Sequence, residues 1–427
     1  MISSKARASL ACTLLWVCAQ AAGAQDAPRT LTLDGAFARA LERHPDLRRF
    51  AHLRDGAAAA LTAQGQRPPL RVELELENAP RSGRDSSFDS AEATLSLASV
   101  FERGSKRAAR LAVADAQLGA LALQEEQRGA DLLAEVARRY LDLLSLQSLA
   151  ELADGDLAQR EYAVTAAAQR VRAGAASESV RLAAEAAAVR ATLQRDRIRV
   201  QSGAAARGLA VLWQAREPDF DRVSGDPLSI PSTPSLEALR DLIERNPELR
   251  RFADESRLRE ARVQLARSQR VTDIDWRAAV RRLEEDGSWA AIVGVSVPLG
   301  SASRAEPGIR SAQAELSALS LERESETMSV EATLLDAYSR FSGASAEVAA
   351  ARDLLLPKLA QAERSAERAF RGGALTYIEW AQLQSEAMSA RREQLLAALE
   401  AHRALIEIQR LTGSPFVDTV EMKRTQP

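Results

Sequence analysis

The chain has 427 residues, a formal charge of −2, 27% charged residues and only 4% aromatic ones. Its cations are nearly all arginines mixed with acids along the chain, which describes a solvated helical surface and excludes a nucleic-acid footprint. So few aromatics argue against an ordinary globular core and for Ala- and Leu-rich helices packed narrowly on one another.

Residues 1–24 read as a secretory signal. Lys5 and Arg7 give a basic n-region, residues 10–17 an apolar core too short to span a bilayer, and Ala22-Gly23-Ala24 a small-residue cleavage site. Both cysteines, Cys12 and Cys18, fall inside it, and Val17 before Cys18 speaks against lipidation. The exported chain is therefore free of cysteine and has no disulfide framework.

Thr32 or Asp34 opens the first helix, with Leu33, Phe37, Ala40 and Leu41 on one face. Pro45 kinks or restarts it, and helix continues to about Gln66, where Pro68-Pro69 follows. Residues 70–78 then alternate, with Leu70, Val72, Leu74 and Leu76 opposite Arg71, Glu73, Glu75 and Glu77. A loop of turn formers leads to a second alternating stretch at 88–101. Two strands of about ten residues, each with one greasy and one charged face, fit a transmembrane barrel; an amphipathic hairpin in a soluble sheet fits the same pattern.

From Lys106 to Val171 the pattern is helical, with Gly155 as its weakest point. A helix of about 65 residues spans roughly 100 Å and must run beside partners as a coiled coil. The stretch 172–177, from Arg172 through Gly174 to Ser177, interrupts it; Ser177 can cap a return helix running to about Trp213. Residues 215–235, rich in Pro, Ser, Gly and Asp, form a linker.

After the linker the order repeats. ALERHPDLRRF at 40–50 returns as LIERNPELRRF at 242–252, with Pro45 and Pro247 202 positions apart (247 − 45). A period this long marks a duplicated half-chain. Ser235 caps the second copy, and alternating stretches recur at 273–283 and 288–299, the latter ended by Pro298 and Gly300. Pro307-Gly308 opens a long helix in which 312–321 matches 114–123, with Pro357 as a bend. The stretch from Arg371 through Gly373 to Thr376 reproduces the earlier break, Gly174 and Gly373 being 199 apart (373 − 174). Gly413 and Pro415 stop the last helix. The chain thus divides into a signal (1–24), a first repeat (25–214), the linker (215–235), a second repeat (236–413) and a tail (414–427) that is poorly structured or docked on the surface.

Catalytic chemistry is excluded by what is missing. The three histidines, His44, His52 and His402, are scattered, and His44 becomes Asn246 in the second copy. There is no phosphate loop, nucleophile elbow or HExxH pattern, and Met328, Met388 and Met422 stand apart, so neither an enzyme, a cofactor nor a metal site is expected. A periplasmic adaptor would carry one hairpin between β-rich modules, not two hairpins each preceded by strands.

VELELEN followed by FDSAEATLSLASVFERGSKRAAR, and WRAAVRRLEEDGSWAAIVGVSVPLG, carry a resemblance to the TolC-like outer-membrane channels. It covers about residues 29–416, and within that family the chain is similar to the CzcC type, the outer-membrane component of heavy-metal RND efflux pumps. The resemblance implies a mainly α fold with a small β part. Duplicated helical hairpins build an α-barrel tunnel in the periplasm, and four strands per protomer enter the twelve-stranded barrel of a homotrimer in the lipid of a Gram-negative outer membrane. It also implies a periplasmic adaptor and an inner-membrane RND pump as partners. The implied cargo is divalent metal such as cobalt, zinc or cadmium, with small organic toxicants or a type I secreted polypeptide as the alternative.

Gly174 and Gly373 then sit at the hairpin tips, where a reversal needs positive φ, and Arg172 and Arg371 lie near negative dipole ends. The resemblance makes Arg172, Gly174, Ser177, Arg371, Gly373 and Thr376 the adaptor-docking residues. Glu379 stands where acids ring the closed entrance in TolC-like channels; three carboxylates around a threefold axis would repel one another and attract cations, and one could carry a raised pKa. Gln382, where a second acid is common, departs from that pattern. Glu379→Gln is expected to raise leak or loosen cation selectivity in purified channels.

Overall fold

The computed structural model describes residues 29–78 and 91–416. The signal expected at 1–24, residues 88–90 of the second expected strand and the tail beyond Phe416 lie outside the described residues. The first half runs β1 (Thr30–Leu31), α1 (Leu33–Arg43), α2 (Pro45–Gln64), β2 (Arg71–Glu77), β3 (Glu92–Phe101), α3 (Lys106–Arg172) and α4 (Glu178–Ala210). The linker holds β4 (Arg222–Val223). The second half follows with α5 (Leu236–Arg240), α6 (Pro247–Ser268), β5 (Ile274–Leu283), β6 (Trp289–Ser296), α7 (Ser301–Ala350), α8 (Leu356–Arg371) and α9 (Tyr377–Thr412).

Local signals explain the helix starts. Thr32 Oγ1 accepts the Gly35 N–H at 3.1 Å, and Ser235 Oγ accepts that of Ala238 at 3.4 Å. Pro45 restarts the helix, with His44 Nδ1 accepting the Asp46 N–H at 3.2 Å. Asn246 Oδ1 does the same for Glu248 at 2.6 Å. His44 and Asn246 are therefore interchangeable because both are helix caps. One expected start is corrected: α7 begins at Ser301, and Pro307 lies inside it. Gly300, at φ +77°, turns the chain into the helix six residues earlier than the proline would. Pro307 is tolerated because it is exposed in the second turn, where the carbonyl it leaves unpaired can meet water.

The helices pack side by side into a slab. α3, 67 residues long, packs on α4, α6, α2 and α9; α9 in turn packs on α7 and α8. Close approach is made by small residues, and Ala337, Ala387, Ala398, Ala401 and Ala404 are fully buried. The linker crosses this slab at its waist. β4 pairs in parallel with β1, and Tyr140 Oη lies 2.6 Å from Ser224 O and 2.9 Å from Leu31 O. His402, buried in α9, holds the linker through Pro227 O at 3.0 Å, and burial pushes its pKa down.

The four longer strands make one antiparallel sheet in the order β2-β3-β5-β6. Its centre is the pairing of the two repeats, β3 with β5, from Glu92↔Leu283 to Phe101↔Ile274. β2 and β6 are left as open edges.

Candidate functional site: two hairpin tips and an amphipathic sheet

Registers place rows such as Leu74, Leu95, Val280 and Ala291 on one face of the sheet. That face is apolar yet uncovered: Val72, Leu74, Val293 and Val295 are 65–81% exposed. At about 25 cal/mol per Å², such a face is costly in water and favourable in lipid. The opposite face is charged and internally paired. Arg281 reaches Glu92 at 2.7 Å and Glu77 at 3.1 Å, and Arg277 reaches Glu75 at 3.5 Å. Alternation of this kind, lipid on one side and water on the other, belongs to a transmembrane barrel wall. No helix among the described residues is long and apolar enough to cross a membrane.

The stretch Glu102-Arg-Gly-Ser-Lys106 joins sheet to slab. Lys106 Nζ, almost buried, contacts Asp273 Oδ2 at 2.7 Å, and Asp273 Oδ1 accepts the Arg103 N–H at 3.0 Å. Glu102 takes Arg110 in a two-pronged bond of 2.5 and 3.0 Å. The first repeat's strand-to-helix turn is thereby clamped to the second repeat's helix-to-strand turn.

At the far ends of the helices, the two Gly breaks fold alike. Gly174, at φ +70°, donates to Val171 O and Ala175 N–H donates to Arg170 O, at 3.0 and 2.9 Å. Gly373, at φ +82°, donates to Phe370 O and Ala374 to Ala369 O, at 3.1 and 2.9 Å. Both are Schellman ends, which need a left-handed residue. Arg172 and Gly174 are exposed. Ser177 holds the cap position of α4, but its hydroxyl turns to Ser179 Oγ at 2.6 Å and makes no cap bond. Thr376 caps α9 fully: Glu379 N–H donates to its Oγ1, while the Glu379 carboxylate accepts from Thr376 N–H at 2.9 Å and Oγ1 at 2.6 Å. Those bonds hold the Glu379 pKa below its ordinary value within the protomer, the opposite direction from the rise expected for a crowded ring of acids.

Sequence reasoning passed over what ties the two tips together. Phe370 stacks on Trp380 at 4.7 Å, Tyr377 meets both edge-on, and Tyr162 of α3 meets Trp380 at 6.3 Å. Arg170 of α3 donates to Phe370 O at 2.9 Å with its guanidinium 4.8 Å over the Phe370 ring, and Arg371 bonds Tyr162 Oη and Glu367. The signal was available: in an aromatic-poor chain, Phe370, Tyr377 and Trp380 crowd around Gly373.

A sequence profile for outer membrane efflux proteins matches residues 36–213 and again 238–414, one match for each half. The chain is 26% identical over 390 residues to the cobalt-zinc-cadmium resistance protein CzcC of Cupriavidus metallidurans, covering 91% of each. Among solved structures it is similar to CusC, described as forming a transmembrane channel, with TM-score 0.75 and 14% identity over 90% of this chain and 92% of that one. It is also similar to the outer membrane protein VceC of Vibrio cholerae, with TM-score 0.71 and 17% identity over 90% and 97%. With both halves matched and a lipid-ready sheet mounted on a helical slab, the chain belongs to the outer membrane efflux protein family, as a non-enzymatic efflux channel of the Gram-negative outer membrane.

Proposed function

We propose that this chain is the outer-membrane conduit of a tripartite RND-type system that exports divalent metal cations such as cobalt, zinc or cadmium. The observation that carries the cargo is the similarity to CzcC along nine-tenths of both chains. Growth of a deletion strain and its complemented parent across graded metals and organic toxicants tests it. Selective, complementable sensitivity to divalent metals is expected. Sensitivity to organic compounds alone, or a secretion defect, would overturn the metal assignment in favour of a conduit for toxicants or a type I secreted polypeptide.

The working form in this reading is a homotrimer. Two kinds of unfinished surface support it. The sheet ends in open edges at β2 and β6, which lipid cannot satisfy. The slab ends in two helices with bare apolar seams: Leu182, Val189, Leu193 and Val200 on α4, and Leu321, Met328 and Leu335 on α7, spaced for coiled-coil contact. Each protomer's two flanks differ, so copies join head to tail and must close into a ring. Three copies of four strands close a twelve-stranded barrel.

The tips, with Arg172, Gly174, Ser177, Arg371, Gly373 and Thr376, are the docking surface for a periplasmic adaptor that links the conduit to the inner-membrane pump. Gly373→Val forces a β-branched residue to φ +82°, at a local cost of about 1–2 kcal/mol. Metal resistance is expected to fall while the amount of assembled channel in the outer membrane stays unchanged; unchanged resistance would remove Gly373 from the docking surface. Glu379 is the gate residue in this reading, three carboxylates around the axis; conductance and cation preference of Glu379→Gln indistinguishable from wild type would remove it from that role.

A further inference from the structure

The two repeats keep a constant spacing along their long helices until one place. Tyr140 and Tyr338, and Leu143 and Phe341, are 198 apart (338 − 140, 341 − 143). Beyond them Gly174 and Gly373 are 199 apart, as are Gln214 and Gly413, the left-handed residues that close α4's end and α9. The second repeat has therefore gained one residue between Phe341 and Gly373. α3 crosses the matching level unbroken, but α7 and α8 are separated by a π-helical turn, Ala351–Leu355, in which Leu356 N–H donates to Ala351 O five residues back. An inserted residue in an α-helix is housed in this way.

The buried seam confirms where the extra residue is absorbed. Leu334, Ala337, Phe341, Ala344, Val348 and Ala351 are buried at spacings of three and four. Continued without interruption, the seam would bury positions 358, 365 and 369; the buried residues are instead Leu359, Ala366 and Phe370, each one later. Pro357 follows directly and has no N–H for the carbonyl of Asp353. Above the turn, Gln394 of α9 grips Val348 O at 3.4 Å; below it, Leu359 rests on Ala387 and Ala390. The turn's own Arg352, Asp353, Leu354 and Leu355 are exposed.

We propose that Ala351–Leu355, with Pro357, is a hinge about which the tip-proximal part of the second hairpin bends, while the first hairpin has none. The inference rests on the tips being the working end of the conduit. Two features of the helix ladder weaken in the same turn, and at the first contact below it α9 offers Leu359 only the small side chains of Ala387 and Ala390. Removing Leu354 together with Pro357→Ala restores a continuous α-helix with both seams in phase, so the tip contacts are retained.

The first measurement is hydrogen exchange of the full-length protein in detergent. Amides at 352–356 are expected to exchange about tenfold faster than those at the matching level of α3, near 154–157, and the deletion variant is expected to abolish the difference. Equal exchange in wild type would overturn the hinge, whether or not any variant folds. In planar bilayers with potassium chloride, the deletion variant is expected to stay at one conductance level where wild type switches; switching identical to wild type would also overturn it. Wild-type protein that does not conduct counts against the channel reading, and the exchange comparison then decides the hinge by itself.

Discussion

Gly104→Ala is expected to destabilise the protein by about 3–5 kcal/mol, enough to abolish assembled channel in the outer membrane. The residue sits at φ +70° in the turn between β3 and α3, followed by Ser105, itself left-handed at φ +58°. A methyl group there would lie 2.6 Å from Val271 Cβ, 2.8 Å from its Cγ2 and 3.0 Å from Ser268 O. Neither neighbour can yield: Ser268 O belongs to the end of α6, and Val271 leads into Asp273, which is held by Lys106. Backbone strain and overpacking therefore add at one atom. Outer-membrane fractions blotted for assembled channel check it, with Gly56→Ala, where the new methyl meets nothing within 4 Å, as the control. Normal assembly of Gly104→Ala would mean that the clamp is softer than its contacts.

Arg410→Met is the second large effect, about 2–4 kcal/mol. Arg410 of α9 contacts Glu407 at 2.9 Å, Glu248 of α6 at 2.7 Å and Asp131 of α3 at 3.6 Å, while Arg138 of α3 takes the other Glu407 oxygen at 2.9 Å. One guanidinium thus joins helices from both repeats, and its loss leaves half-buried carboxylates under-paired. The pH dependence follows in sign. Burial pushes the Glu407 pKa up, but the bonds from Arg410 and Arg138 hold it below its ordinary value of 4.5. A depressed folded pKa gives stability that is present above the unfolded value and lost as pH falls through the folded one. Wild type and variant are therefore expected to differ fully at pH 7 and to converge below about pH 4.5 in thermal unfolding. A constant difference across that range would assign the effect to packing alone.

Much of the fold was legible because its periodicities are strong. β2, β3, β5 and β6 alternate through most of their length, with exceptions such as Arg282 on the apolar face and Leu283 and Ile292 on the charged one, and a one-residue slip would exchange the faces. The Gly breaks were legible because left-handed helix ends leave glycine little competition. The start of α7 was not, because Pro307 is a conspicuous signal and Gly300, the residue that turns the chain, also reads as a strand stop. The local geometry of the tips was half legible. Arg172, Gly174, Ser177, Arg371, Gly373 and Thr376 fall at the tips, but Glu379 spends its carboxylate on Thr376, a bond visible as the T-x-x-E spacing of a capping box. The aromatic lock between the hairpins depends on residues some 200 positions apart, and no local pattern announces that Arg170 will meet Phe370.

The open edges at β2 and β6 have a genetic consequence. The ring proposed above joins unlike edges and has no partial form, so in it one copy defective in either edge strand disables the intact copies it joins. When a defective and an intact allele are expressed equally and mix at random, only about one in eight of the proposed three-copy rings is free of the defect. Damage to an edge strand is then dominant, whereas damage that prevents folding before assembly is recessive.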